Sequence, residues 1–281
     1  MSNDFAEISP KNPRSRNFAE IPKDLAYWTK QEKPLFNDYK WNIPEQKSGY
    51  VSILGGNSSS FSATIKIAEE LLSSFPIKTA EIILPDALRN NLPPLENTTF
   101  LPSTTSGSFG KSPLITQTLE KSNFIFLTGE LTKNSETTVA LADSLKRIDL
   151  PILLARDSLD TLLPEMSSLI NHPQLFIFAS LAQIQKLLRT LYYPKVLMLS
   201  MPLLSVIDTL HKFTLSYPTT LITFHSDEII IANSGKIITT NISLTNYSPL
   251  SLWFGSLATK ITALNLYNPK KPLEATAAAL F

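Results

Sequence analysis

Cysteine is absent from the 281 residues and glycine is scarce, at eight. The first absence excludes a disulfide framework, thiolate zinc sites, iron–sulfur ligation and a cysteine nucleophile. The second is a matter of degree, since an average soluble chain of this length carries about 20 glycines at roughly 7% usage. Loops that wrap phosphates need several, because glycine lets the backbone approach closely and adopts positive φ without strain. Histidine is also sparse: His172, His211 and His225 form no HxxxH or HxH pair, so no metal site is expected. A formal net charge of +1 gives no general attraction to nucleic acid or to an anionic membrane. No apolar run approaches the roughly 18 residues of a membrane span. The longest, from Val196 to Leu204, is interrupted by Ser200 and Pro202. Asp4 and Glu7 make the N-terminus unlike a secretory signal. These exclusions lead to a cytoplasmic protein without nucleic-acid or membrane partners.

What is present supports a sizeable core, with 43% hydrophobic residues and 17% charged. Residues 1–48 read as an irregular arm, with Pro10, Pro13, Pro22, Pro34 and Pro44, and Phe-Ala-Glu-Ile twice, at Phe5–Ile8 and Phe18–Ile21. Trp28, Phe36, Tyr39 and Trp41 suggest that the arm packs against a body, and a short helix is expected around Asp24–Lys30. From residue 49 to the end the texture is that of one α/β domain. Tyr50–Leu54 reads as a strand ending in Gly55-Gly56, and Phe61, Ile65, Ala68 and Leu72 form a helical stripe with N-cap hydroxyls offered by Ser58–Ser60. Further strands are expected at Ala80–Leu84, Asn123–Leu127, Pro151–Leu154, Leu175–Phe178 and Val196–Leu199, with helices from Ser135, over Leu181–Leu191, and from Pro202 to about Tyr217. Residues 87–120 resist assignment and read as a mobile loop around Gly107 and Gly110. The late runs Leu221–Phe224, Glu228–Ala232 and Lys236–Thr240 are antiparallel in character, with a hairpin turn at Asn233-Ser-Gly235. A last long helix covers about Ser251–Leu266 and another begins at Pro272. Alternating strands and helices closed by a hairpin predict a three-layer α/β/α sandwich around a mostly parallel sheet.

In such a sheet ligands bind at the carboxyl ends of strands. Four ends qualify: Gly55–Ser60, Leu127–Leu131, Ala155–Asp157 and Asn246–Gly255. The first is neither a P-loop nor a GxGxxG turn, and ordinary tight turns remain open for all four. Asp157 and Asp160 read as helix N-cap and first-turn acids. His225-Ser226-Asp227 contains triad residue types, but neighbours on a strand point to opposite faces.

The order of these pieces resembles the ribokinase-like fold and, within it, the ADP- or ATP-dependent NAD(P)H-hydrate dehydratase family. Lys47-Ser-Gly49-Tyr50-Val-Ser-Ile-Leu-Gly55-Gly56-Asn57 followed by Phe61 looks like the family's opening strand and turn. Phe124–Leu131 resembles its strand ending in Gly-Pro-Gly-Leu-Gly, Pro151–Leu159 its strand ending in Asp-Ala-Asp-Ala-Leu, and Trp253-Phe254-Gly255 the start of the helix after its anion hole. The resemblance implies substrate contacts at Gly55, Gly56, Asn57, Gly129 and Asp157, nucleotide contacts at Ser248, Ser251 and Gly255, and ADP or ATP with NAD(P)H as cofactor and substrate. It also implies that the chain stops short of the family's last helices, and it leaves a homo-oligomer open.

The same alignment shows departures. Where the family has Gly-Ser/Thr-Gly-Asp, this chain has Ser248-Pro249-Leu250-Ser251, so both glycines are gone and Ser251 stands in place of the catalytic aspartate. Proline offers no amide hydrogen, and a hydroxyl cannot serve unaided as the base. Three readings follow: a nucleotide-dependent hydrate lyase with weakened or lost activity, a non-catalytic nucleotide- or partner-binding relative, and a small-molecule kinase of the same fold.

Overall fold

The β-rich runs assemble into a single sheet because their side chains are buried on both faces. A computed structural model of the chain describes residues 26–34 and 42–281. The Phe-Ala-Glu-Ile copies and Phe36, Tyr39 and Trp41 lie outside the described residues. In chain order the elements are β1 (Trp28–Lys30), β2 (Ser48–Gly55), α1 (Ser62–Ser74), β3 (Ile77–Pro85), β4 (Thr98–Leu101), α2 (Pro113–Leu119), β5 (Phe124–Gly129) and α3 (Ser135–Leu145). Then follow β6 (Ile152–Ala155), α4 (Ser158–Leu162), α5 (Met166–Leu169), β7 (Leu175–Phe178), α6 (Leu181–Thr190) and α7 (Leu203–Ser216). The chain closes with β8 (Thr219–His225), β9 (Glu228–Asn233), β10 (Lys236–Asn241), α8 (Pro249–Phe254), α9 (Ser256–Tyr267) and α10 (Pro272–Ala278).

The ten strands lie in the order β1-β10-β9-β8-β7-β6-β5-β2-β3-β4. Only β9 pairs antiparallel, with β8 and β10 on its two sides. Both hairpin turns carry positive φ at their two central residues, Ser226-Asp227 and Ser234-Gly235, as the strand twist requires. Of the triad types at residues 225–227, Ser226 and Asp227 are therefore a turn, and His225, the last residue of β8, bonds the Met201 carbonyl through its ring. Alternation along β5 splits the core: Phe124 and Phe126 pack with α1, α9 and α10 on one face, while Ile125 and Leu127 pack with α2, α3, α6 and α7 on the other. This is the expected three-layer sandwich with a mostly parallel sheet and a late antiparallel hairpin. Among the described residues no helix is long and apolar enough to cross a membrane.

Four local expectations need correction. Trp28–Lys30, expected in a helix, forms an edge strand. The β10 edge offers unpaired backbone groups, and the Trp28 indole N–H donates to the Thr239 hydroxyl at 3.1 Å. Val196–Leu199, expected as a strand, joins no sheet, since β7 pairs directly with β8 and leaves it no neighbour. Residues 87–120 hold β4 and α2, and their glycine-containing turn is packed: Phe109 is fully buried and Gly107 accepts the Ser58 amide at 2.9 Å. The last long helix is broken at Gly255 into α8 and α9.

The buried turn yields a test. Phe109→Ala is expected to destabilise the protein by about 3–5 kcal/mol, the usual cost of emptying a buried aromatic site. Equilibrium urea denaturation measures it, and a loss under about 1 kcal/mol, typical of surface positions, would show that the turn is not core.

Candidate functional site

The sheet has one topological switch point. The chain runs from β2 outward to β3 and β4, then returns to place β5 on the other side of β2. Ligands of open α/β sheets lie at such a crevice. There Gly55 pairs with Gly129 across a register shift. Neither glycine has room for a side chain: a Cβ at Gly55 would collide with the Thr128 hydroxyl, and one at Gly129 with the Asp157 carboxylate. The neighbours that demand glycine here are the protein's own polar groups.

Glu130 follows in the left-handed region, with φ of 56°. That turn sends its side chain to the N-terminus of α1. Its Oε2 accepts the Ala63 amide at 3.0 Å and its Oε1 accepts the Ser60 hydroxyl at 2.9 Å. The expected serine N-caps do not form, because residues 58–60 are turned away by an Asx turn in which Asn57 Oδ1 accepts the amides of Ser59 and Ser60. Asn57 Nδ2 donates to the Glu130 carbonyl at 2.6 Å, and Asp157 Oδ1 accepts the Glu130 amide at 2.9 Å. A helix N-terminus favours negative charge, and an internal carboxylate supplies it. Asp157 stands at the N-cap position of α4 but makes no capping bond there.

Arg156, the residue after β6, is also left-handed, with φ of 58°. Its guanidinium lies 3.9 Å from Glu130 Oε1, and its Nε is buried without a hydrogen-bond partner. The turn that carries it is fixed from α6: Gln183 Nε2 donates to the Arg156 carbonyl and to Asp160 Oδ2, both at 2.7 Å. Lys186 donates to Asp160 Oδ1 at 2.7 Å. Burial alone would raise the Asp160 carboxyl, but the bonds from Lys186 and Gln183 outweigh it and hold the group below its ordinary value.

The other half of the site is the turn before α8. Ser248 Oγ accepts the Ser251 amide at 3.1 Å, and Ser251 Oγ accepts the Ser248 amide at 2.7 Å. This reciprocal capping box, with Pro249 as the first helical residue, closes the turn on itself. Gly255 has φ of 105°, and a Cβ there would come within 3.1 Å of Ile67 on α1. Between the two halves lies a cavity of about 140 Å³, whose lining includes Arg156, Ser180, Phe178, Phe224, Leu252 and Trp253.

The structure thus gathers Gly55, Gly56, Asn57, Gly129 and Asp157 into one network, and sets Ser248, Ser251 and Gly255 on the α8 side. Gly255 also lines the cavity. The links between the halves, Glu130 and Arg156, were not among the expected site residues. A signal for them exists: opposite charges stand directly after β5 and β6, adjacent parallel strands.

No protein-family model and no curated protein matches the sequence. Solved structures match in fold. A ribokinase-like superfamily protein from Enterococcus faecalis V583 superimposes with a TM-score of 0.64 at 15% identity, over 90% of this chain and 86% of that one. A hypothetical protein from Streptococcus mutans gives 0.59 at 13%, over 86% and 84%. The ADP/ATP-dependent NAD(P)H-hydrate dehydratase from Bacillus subtilis, crystallised with ATP and Mg2+ and soaked with CoA, gives 0.52 at 12%, over 85% and 82%. The chain has the ribokinase-like fold, and these likenesses are likenesses of fold.

Two outcomes are expected at the site. Glu130→Ala removes the acceptor at α1 and leaves Arg156 without a counter-charge, so a loss of about 2–4 kcal/mol is expected in urea denaturation. Glu130→Gln, which keeps an acceptor oxygen and removes only the charge, should lose clearly less, and equal losses would deny the acceptor a role. Asp160→Asn should destabilise the protein at neutral pH by about 1–2 kcal/mol. Because the folded carboxyl is held low, that stability is present above the unfolded value near 4 and is lost as pH falls through the lower folded value. The gap between variant and unaltered protein should therefore close on acidification below about pH 4, and a gap that persists would contradict the assignment.

Proposed function

We propose that this chain is a ribokinase-fold protein that has given up phosphoryl chemistry and acts by binding a small ligand in its strand-end cleft. The observation that carries the reading is the closed turn at residues 248–251. A phosphate nest needs free backbone amides, yet Ser248 and Ser251 bond each other's amides and Pro249 has none. No carboxylate stands at position 251 to take a hydroxyl proton. The residues at this turn do not fit the phosphates of ADP or ATP, and no reaction step is derived through them.

Magnitudes support the same conclusion. Loss of a single oxyanion-type donor costs roughly 10²–10³ in rate. Loss of a general base costs roughly 10²–10⁴ more. The competing reading, an active NAD(P)H-hydrate dehydratase, draws on fold and strand order, and a fold hosts many functions.

Incubation of the purified protein with hydrated NADH and ATP or ADP is expected to give no return of the reduced-nicotinamide absorbance. Turnover would overturn the reading. Ser251→Asp alone is expected to stay inactive, because Pro249 and the sealed turn remain. A thermal-shift panel with ADP, ATP, NAD and NADH should show no stabilisation by ADP or ATP through the turn.

A further inference from the structure

We infer that the cavity between Arg156 and α8 binds a small planar aromatic carboxylate, its ring between Phe178, Phe224 and Trp253 and its carboxylate on the Arg156 guanidinium. The inference rests on the non-catalytic binding reading and names the ligand class for that same cleft.

Size comes first. The cavity measures about 140 Å³. Drug-sized ligand pockets run to roughly 300–1,000 Å³, whereas a cavity of about 150 Å³ accepts one benzene ring. A single ring matches it, and anything larger would extend from its open side. Shape agrees, since three of the lining residues are aromatic and Ala155, Ala179 and Leu252 complete an apolar wall.

Charge fixes the substituent. Arg156 is the single charged residue in the lining, and Ser180, the lining hydroxyl, is already committed to Gln183 in a capping box. Glu130 does not saturate the guanidinium. Its two oxygens already accept from Ala63 and Ser60, its charge faces the N-terminus of α1, and it stands 3.9 Å from Arg156, too far for a charge-assisted hydrogen bond. The other nearby acids are likewise engaged: Asp157 accepts the Glu130 amide, and Asp160 accepts from Gln183 and Lys186. Arg156 therefore keeps positive charge to offer, on a side chain that is 17% exposed. A carboxylate is the planar group that such a guanidinium recognises through two parallel bonds. Neutral rings would fill the cavity and leave the Arg156 charge without a counter-ion there.

Titration of the full chain with benzoate and with benzamide, followed by calorimetry and by Trp253 fluorescence, tests this. Benzoate is expected to bind at least tenfold more tightly than benzamide. Arg156→Gln should bring the two within about threefold by lowering benzoate affinity, and Trp253→Ala, at a residue 44% exposed, should weaken both. The benzoate-to-benzamide ratio on the unaltered protein decides the matter even where Arg156→Gln folds poorly. Equal affinities, a preference for benzamide, or no saturable benzoate binding in the millimolar range would overturn the inference. Adding hydrated NADH with ATP or ADP to the same samples separates the two readings. Turnover overturns the non-catalytic reading and with it the inference, whereas failed discrimination without turnover overturns the inference alone.

Discussion

The Glu130 carboxylate at the N-terminus of α1 is the contact on which the rest of the cleft depends. A helix of 13 residues ends there with unpaired amides, and no serine of the preceding turn caps it. The carboxylate satisfies one amide and one hydroxyl, while its own backbone is gripped from both sides by Asn57 and Asp157. Three strand ends, those of β2, β5 and β6, are tied together by this single residue. Its left-handed backbone has a strain cost, of order 1–3 kcal/mol, that persists only because the surrounding bonds over-determine it. The switch point of the sheet is thus held by the chain's own acid.

That arrangement gives the scarce glycines a physical meaning. Gly55 and Gly129 stand where protein hydroxyl and carboxylate groups press against the backbone, so their presence does not require a ligand. Gly255 lets α8 turn into α9 while α9 packs against α1, and Gly235 completes a hairpin. None remains at residues 248–251, where the turn is built from two serines and a proline and needs no positive φ. The deficit falls on the place where backbone amides would have to point outward together.

Much of the frame was legible in the sequence because it rests on local rules. β2, β3, β5, β6, β7 and the β8–β9–β10 hairpins are short apolar runs bounded by turn residues, and the helical stripes of α1 and α6 follow the 3.6-residue period. Where the reading failed, tertiary context decided. Val196–Leu199 has strand-like residues, but the sheet has closed between β7 and β8 and leaves it no partner. Trp28 became a strand because the β10 edge was free to pair, which no local pattern reveals. Phe109 is buried through contacts distant in sequence, although its neighbours are serine and glycine. At the site, the strand-end segments were identifiable, but the roles of Glu130 and Arg156 were not. Their pairing depends on two left-handed backbones that the residue types themselves disfavour.

The two halves of the cleft treat negative charge in opposite ways. On the strand-end side the N-terminus of α1 favours negative charge, and the Glu130 carboxylate supplies it from within. On the α8 side the amides of Ser248 and Ser251 are bonded into a capping box and make no such demand. An ordinary serine cap would stabilise α1 by a comparable ~1 kcal/mol. Glu130 does what a serine cap cannot: it sets a negative charge 3.9 Å from Arg156, a cation in the lining of an apolar cavity. Keeping a cation there is costly without a purpose, because replacing a buried pair by apolar groups is often neutral or stabilising. The charge in the lining, and not the fold, is what the proposed ligand depends on.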